Sequence, residues 1–120
     1  MVLRGVVGRE EVEILRERAL MFLAAARDDL RAGRVDLAAF DAEQACQLAL
    51  KYVLASRAGY YPHTHSLRRL FEVRAVKPEL WSLYERHVFA FEVMEDAYLG
   101  ARYLPRRYSR DVAEHLVKVA

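Results

Sequence analysis

Apolar residues recur every three or four positions along most of this chain and almost nowhere in strict alternation, so the pattern is helical. Val12, Leu15, Ala19, Phe22, Ala26 and Leu30 line one stripe of a first helix, expected from just after Gly8 to about Ala32. Glu10, Glu11 and Glu13 suit its N-terminal dipole, and Gly33 ends it. Asp36 is the expected N-cap of a second helix, about Leu37 to Arg57, which is apolar on most sides. A helix apolar nearly all round belongs at the centre of its domain or of a dimer. Gly59 and Pro62 then break the chain, and Thr64 or His65 opens a short third helix with Leu67, Leu70 and Phe71 facing inward. Pro78 suits the first turn of a fourth helix running to Gly100. Its stripe of Trp81, Tyr84, Val88, Phe91 and Tyr98, widened by Leu83, Ala90, Met94 and Ala97, reads as core. Ala101 to Tyr108 is a short basic connector, after which Ser109 caps a final helix bearing Val112, Leu116 and Val119. The expected fold is all-α: an up-and-down four-helix bundle core with one additional short helix, forming a single domain over residues 1–120.

Composition agrees with that pattern. The chain has 120 residues, of which 54% are hydrophobic and 30% charged, a balance that excludes disorder. Five Gly and three Pro leave little material for the turns of a β fold. A net charge of +2 does not by itself advertise nucleic-acid binding. The basic residues are 16 Arg against 3 Lys. Arg makes bidentate and stacking contacts to phosphate, which suits nucleotide partners, although base composition or a thermophilic source gives the same bias. Cys46 stands alone among Ala45, Leu48 and Ala49, so it is expected to be a buried thiol rather than half of a disulfide. The apolar opening is broken by Arg4 and Gly5, and no apolar run reaches membrane-spanning length. The chain is expected in the cytoplasm, with no membrane contact and no cofactor.

The order of parts resembles the HEPN domain family. The residues that carry the resemblance are Ala42-Glu43-Gln44-Ala45, Leu48-Ala49-Leu50-Lys51, and Pro62-His63-Thr64-His65-Ser66-Leu67 with Leu70. Asp96-Ala97-Tyr98, Ala101-Arg102-Tyr103 and Tyr108-Ser109 follow in the same order. The resemblance spans about Leu15 to Val119 and implies a five-helix fold, commonly dimeric. Small members of the family often stand beside a minimal nucleotidyltransferase as a toxin–antitoxin pair, and others are ribonucleases.

The ribonuclease branch of the family places a His four to six residues after an Arg. The Arg can hold the scissile phosphate while the His moves a proton. Arg110 and His115 fit that spacing, but on one helix they stand about 140° apart around the axis. Arg102 matches the order of the motif better, yet no His follows it in the window, and Tyr108 stands near the far end. An ordinary tyrosine is a poor proton shuttle at neutral pH. The connector is therefore the binding candidate: Arg102, Tyr103, Arg106, Arg107 and Tyr108, with Arg110 beyond, combine guanidinium groups for phosphate with rings for base stacking. The competing reading is a solvated basic loop whose tyrosines pack on the bundle.

His63 and His65 lack a nearby third ligand, so no metal site is expected. His65 either caps the third helix or bonds across the bundle, and His87 sits at the core edge. Glu43, Gln44 and Lys51 are polar groups on an apolar helix and must be paired, either structurally, across a dimer seam or to Tyr98, or at a nucleotide pocket. The leading expectation is a homodimeric nucleotide- or RNA-binding module working with a nucleotidyltransferase subunit. A metal-independent ribonuclease toxin is one alternative, and a helical scaffold or antitoxin without its own ligand is another.

Overall fold

The computed structural model describes residues 8–103 and 108–120, with side chains described up to Tyr98 and again from Tyr108. Its regular elements are six helices: α1 (Arg9–Arg31), α2 (Val35–Ala58), α3 (Leu67–Glu72), α4 (Lys77–Arg86), α5 (Val88–Tyr103) and α6 (Arg110–Val119). The all-α class is as expected, and the number of helices is one greater.

α1 and α2 form a hairpin. Gly33, at φ +83°, takes the left-handed turn that a side chain would resist. The following residue is held early: the Arg34 backbone N–H donates to the Asp29 carbonyl at 2.8 Å and its Nε to the Asp29 carboxylate at 2.6 Å. α2 therefore starts at Val35 with Arg34 at its N-cap, and Asp36 is not the cap. Asp36 lies in the first turn instead, where its carboxylate accepts the backbone N–H of Tyr108 at 2.8 Å.

α2 is the central helix, as its apolar circumference implies. It packs against α1, α3, α5 and α6. Ala38, Ala39, Ala42 and Leu54 are fully enclosed. The small alanine side chains let neighbouring backbones come close. Gly59, at φ +77°, ends the helix in a left-handed cap that bonds back to Ala55.

α3 is opened by Ser66, not by Thr64 or His65. The Ser66 hydroxyl accepts the Arg69 backbone N–H at 3.3 Å, while Thr64 Oγ1 accepts the N–H of Ser66. Glu95 of α5 supplies a second cap by accepting the Arg68 backbone N–H at 3.1 Å.

The expected fourth helix is two helices, divided at His87. No Gly or Pro marks the division; the rings of Phe71, Tyr84 and Phe91 pack together across it. Tyr84 and Phe91 are seven residues apart, about 10 Å along a straight helix. Their rings nevertheless stack at 5.6 Å, and Phe71 contacts both, at 5.2 and 4.9 Å. The three rings meet at the turn that divides α4 from α5. That turn also carries Val88 out of the core stripe in which the spacing placed it, leaving it 39% exposed.

α6 begins as the sequence indicates, with the Ser109 hydroxyl accepting the Val112 backbone N–H at 3.2 Å. One buried cluster draws on all six helices, from Ala26 through Leu54, Leu67, Tyr84 and Met94 to Leu116.

Candidate functional site

Glu43, Gln47 and Lys51 occupy successive turns of α2, four residues apart and so stacked on one face. All three are buried, with Glu43 at 0% exposure. The Gln47 amide nitrogen donates to the Glu43 carboxyl at 3.0 Å, and Gln44 donates to the same group at 2.7 Å. The Gln47 amide oxygen accepts from Lys51 Nζ at 2.9 Å and lies 3.1 Å from His65 Nδ1. Glu43 and Gln44 are thus paired within their own helix rather than to Tyr98. Gln47, which sequence reasoning passed over, is the hub. Its four-residue spacing from Glu43 and from Lys51 was the signal that could have found it.

Burial pushes the Glu43 carboxyl up to about 7; the Gln47 and Gln44 donors and the Lys51 charge oppose the rise, and Glu95 adds to it. Burial likewise holds Lys51 below the usual lysine range, against the pull of Glu43. Cys46 on the same helix is partly buried, and its thiol is pushed up to about 12, chiefly by burial, which disfavours the thiolate at neutral pH.

The chain of polar groups fixes the tautomer of His65. Lys51 can only donate, so it holds the Gln47 oxygen toward itself and toward His65. With the Gln47 oxygen so placed, Nδ1 of a neutral His65 donates to it, which leaves Nε2 as the acceptor nitrogen. The His65 ring stacks on Tyr98 at 4.7 Å, and Tyr98 stacks in turn on Phe40 at 6.2 Å. His65 therefore bonds across the bundle, one of its two expected roles.

A groove of about 520 Å³ opens beside this pair, lined by His65, Ser66, Glu92, Glu95, Asp96 and Tyr98. That size lies in the range of small-ligand sites. Each wall has a positioning contact. Ser66 donates to Glu95 at 3.3 Å, and the Tyr108 hydroxyl donates to Asp96 at 2.6 Å. The groove is acidic on its α5 side, and the Tyr108 hydroxyl reaches one of its lining residues, Asp96.

The sequence-derived candidates divide into three groups. Arg102 and Tyr103 belong to the last turn of α5 rather than to a loop, and their side chains lie outside the described residues. Arg106 and Arg107 lie outside the described residues altogether. Tyr108 is pinned at both ends, by its N–H to Asp36 and its hydroxyl to Asp96, so its ring packs on the bundle. Arg110 is exposed and bonds Glu114 at 3.0 Å, while His115 stands 6.5 Å from the ring of His87. Among the described residues no group of three or more metal-ligating side chains occurs, and no helix is long and apolar enough to cross a membrane.

The family model described as HEPN domain matches residues 12–120. The chain belongs to the HEPN family. No curated protein and no solved structure matches the chain in the corresponding comparisons. The polar ladder of α2, the His65–Tyr98 stack and the Tyr108 anchor all lie within the matched residues. They draw on segments that the sequence resemblance singles out, now brought to one side of the bundle.

Proposed function

We propose that this HEPN protein is a homodimeric nucleotide- or RNA-binding module of the cytoplasm, its 120 residues acting as one domain. It works with a minimal nucleotidyltransferase in a toxin–antitoxin-type pair. The observation that carries ligand binding is the double anchoring of Tyr108, at 2.8 Å to Asp36 and 2.6 Å to Asp96. It ties the end of the Arg102–Tyr108 segment to the rim of the His65–Tyr98 groove. Arg102, Tyr103, Arg106 and Arg107 then supply guanidinium groups and a ring for a phosphate-bearing ligand, and the acidic wall of Glu92, Glu95 and Asp96 accepts hydrogen bonds from base or sugar. The test is titration of mononucleotides and single-stranded RNA against wild type, Arg102→Ala and Arg106→Ala/Arg107→Ala. Weakened binding by both variants supports the reading, and equal binding by all three proteins removes the segment from the site.

The acceptor nitrogen of His65 favours a second reading, a metal-independent ribonuclease. An imidazole with Nδ1 held by Gln47 and Nε2 left as acceptor has the arrangement of a general base. In that case RNA is cleaved in the presence of a chelator and the activity is lost in His65→Ala. Intact RNA after prolonged incubation leaves the binding module.

A further inference from the structure

Among the described helices α1 packs only on α2 and α6. It does so through Leu15, Ala19 and Ala26, and its opposite face is left to solvent. That face carries Glu13, Glu17, Leu20, Ala24, Arg27 and Arg31, all exposed. They are separated by alternating steps of four and three residues, the spacing that keeps a stripe on one side of a helix. Charge is ordered along it: two acids, an apolar centre, two bases. Leu20 is 51% exposed, and Met21 beside it is 67% exposed.

A lone exposed Leu needs no explanation, and acids near an N-terminus with bases near a C-terminus suit the helix dipole. The dipole acts only within the first and last turns, however. Glu17 lies two turns into α1 and Arg27 about one turn before its end, so their placement asks for something else.

The stripe reads the same in both directions once the sign of charge is exchanged. Antiparallel pairing about a two-fold axis sets Glu13 against the partner's Arg31 and Glu17 against the partner's Arg27. Leu20 then meets the partner's Ala24, and Arg16 beside the stripe meets the partner's Asp28. Every one of these contacts occurs twice, as a two-fold interface requires. Parallel pairing would instead stack each charge on its own like. Within the chain Arg31 bonds Asp28 at 2.9 Å, but the two side chains are 74% and 68% exposed, so this pair contributes little and can exchange partners. Glu13, Arg16, Glu17 and Arg27 form no ion pair among the described residues. From Glu13 to Arg31 the seam runs about 27 Å, five turns of helix.

We propose that two copies of this chain pair antiparallel through the outer face of α1. The proposal rests on the homodimer reading above and adds the surface that makes it. Because α1 touches neither α3 nor α5, the pairing leaves the His65–Tyr98 groove open.

The test is sedimentation velocity at low and high salt on the full chain as wild type, Glu17→Arg, Arg27→Glu and the double variant. The positions are exposed, and circular dichroism establishes that each variant is folded. Each single variant, by placing like charges together at two points, weakens the dimer about tenfold or more at low salt. The double variant restores complementarity and returns the dimer to near wild-type affinity. Leu20→Glu, at the apolar centre, gives monomer. A dimeric wild type whose single variants dimerise equally well overturns the α1 seam while leaving a homodimer by another surface. Failure of the double variant to recover also overturns it. A wild type that stays monomeric at the highest attainable concentration removes the homodimer reading together with the seam.

Discussion

The Tyr108 hydroxyl donates to Oδ2 of Asp96 across 2.6 Å, which fastens the far end of the Arg102–Tyr108 segment to α5, the helix it departs from. A hydrogen bond to a charged acceptor contributes about 1.5–3 kcal/mol net. Tyr108→Phe is therefore expected to lower stability by roughly that amount in urea unfolding while leaving the helical content intact. It is also expected to weaken nucleotide binding, because Tyr108 is then held by its backbone bond to Asp36 alone.

Stability is expected to depend on pH through Glu43. Its carboxyl sits at about 7 in the folded chain against 4.5 for the ordinary group. The folded state therefore binds the proton more tightly than the unfolded state. The stabilising contribution of the protonated carboxyl is complete below about 4.5, falls as pH rises toward about 7, and is gone above that. Thermal unfolding followed from pH 5 to pH 8 is predicted to show a falling Tm, and Glu43→Gln to flatten the slope. Asp41 adds a term of the same sign: burial, reinforced by a hydrogen bond with Asp29, raises it to about 7. Some slope therefore survives in Glu43→Gln, and Asp41→Asn removes more of it. A Tm that rises over this range in wild type contradicts the prediction.

Phe71 is 2% exposed and contacts Tyr84 and Phe91. Phe71→Ala leaves a cavity at the turn between α4 and α5 and is expected to cost about 3–5 kcal/mol. Local loss should appear first in α4, measured as faster amide hydrogen exchange over residues 77–86.

His65 is expected to be the Nδ1–H tautomer in its neutral form, because the Gln47 oxygen lies 3.1 Å from that nitrogen. Nitrogen-15 NMR of the imidazole reads the tautomer directly. Gln47→Ala removes the acceptor and should shift the ring toward Nε2–H. If wild type and Gln47→Ala give the same tautomer, Gln47 does not orient the ring.

The helical plan was legible in the sequence because its signals are local. Gly33, Gly59 and Ser109 punctuate the chain where the structure bends or caps it, three-four spacing located the buried side of α1, and the apolar circumference of α2 placed it at the centre. The break at His87 was not legible, since no residue near His87 breaks a helix and the Phe71, Tyr84 and Phe91 rings that meet across it come together only in the fold. Ser66 was passed over as a cap because Thr64 and His65 precede it with equally polar side chains; the Glu95 carboxylate, remote in sequence, supports it there. The polar residues of α2 were visible as an anomaly, but their joint purpose depends on His65, eighteen positions away across the Gly59 turn. The acidic side of the groove could not be anticipated, because Glu95 and Asp96 acquire meaning only from contacts to α3 and to Tyr108.

Backbone chemical-shift mapping of the protein during titration with a mononucleotide tests the proposed site most directly. Shifts are predicted to cluster at residues 63–66 and 95–98 and along 102–108. Saturating ligand that leaves those residues unmoved, or moves only residues on the outer face of α1, would contradict the assignment.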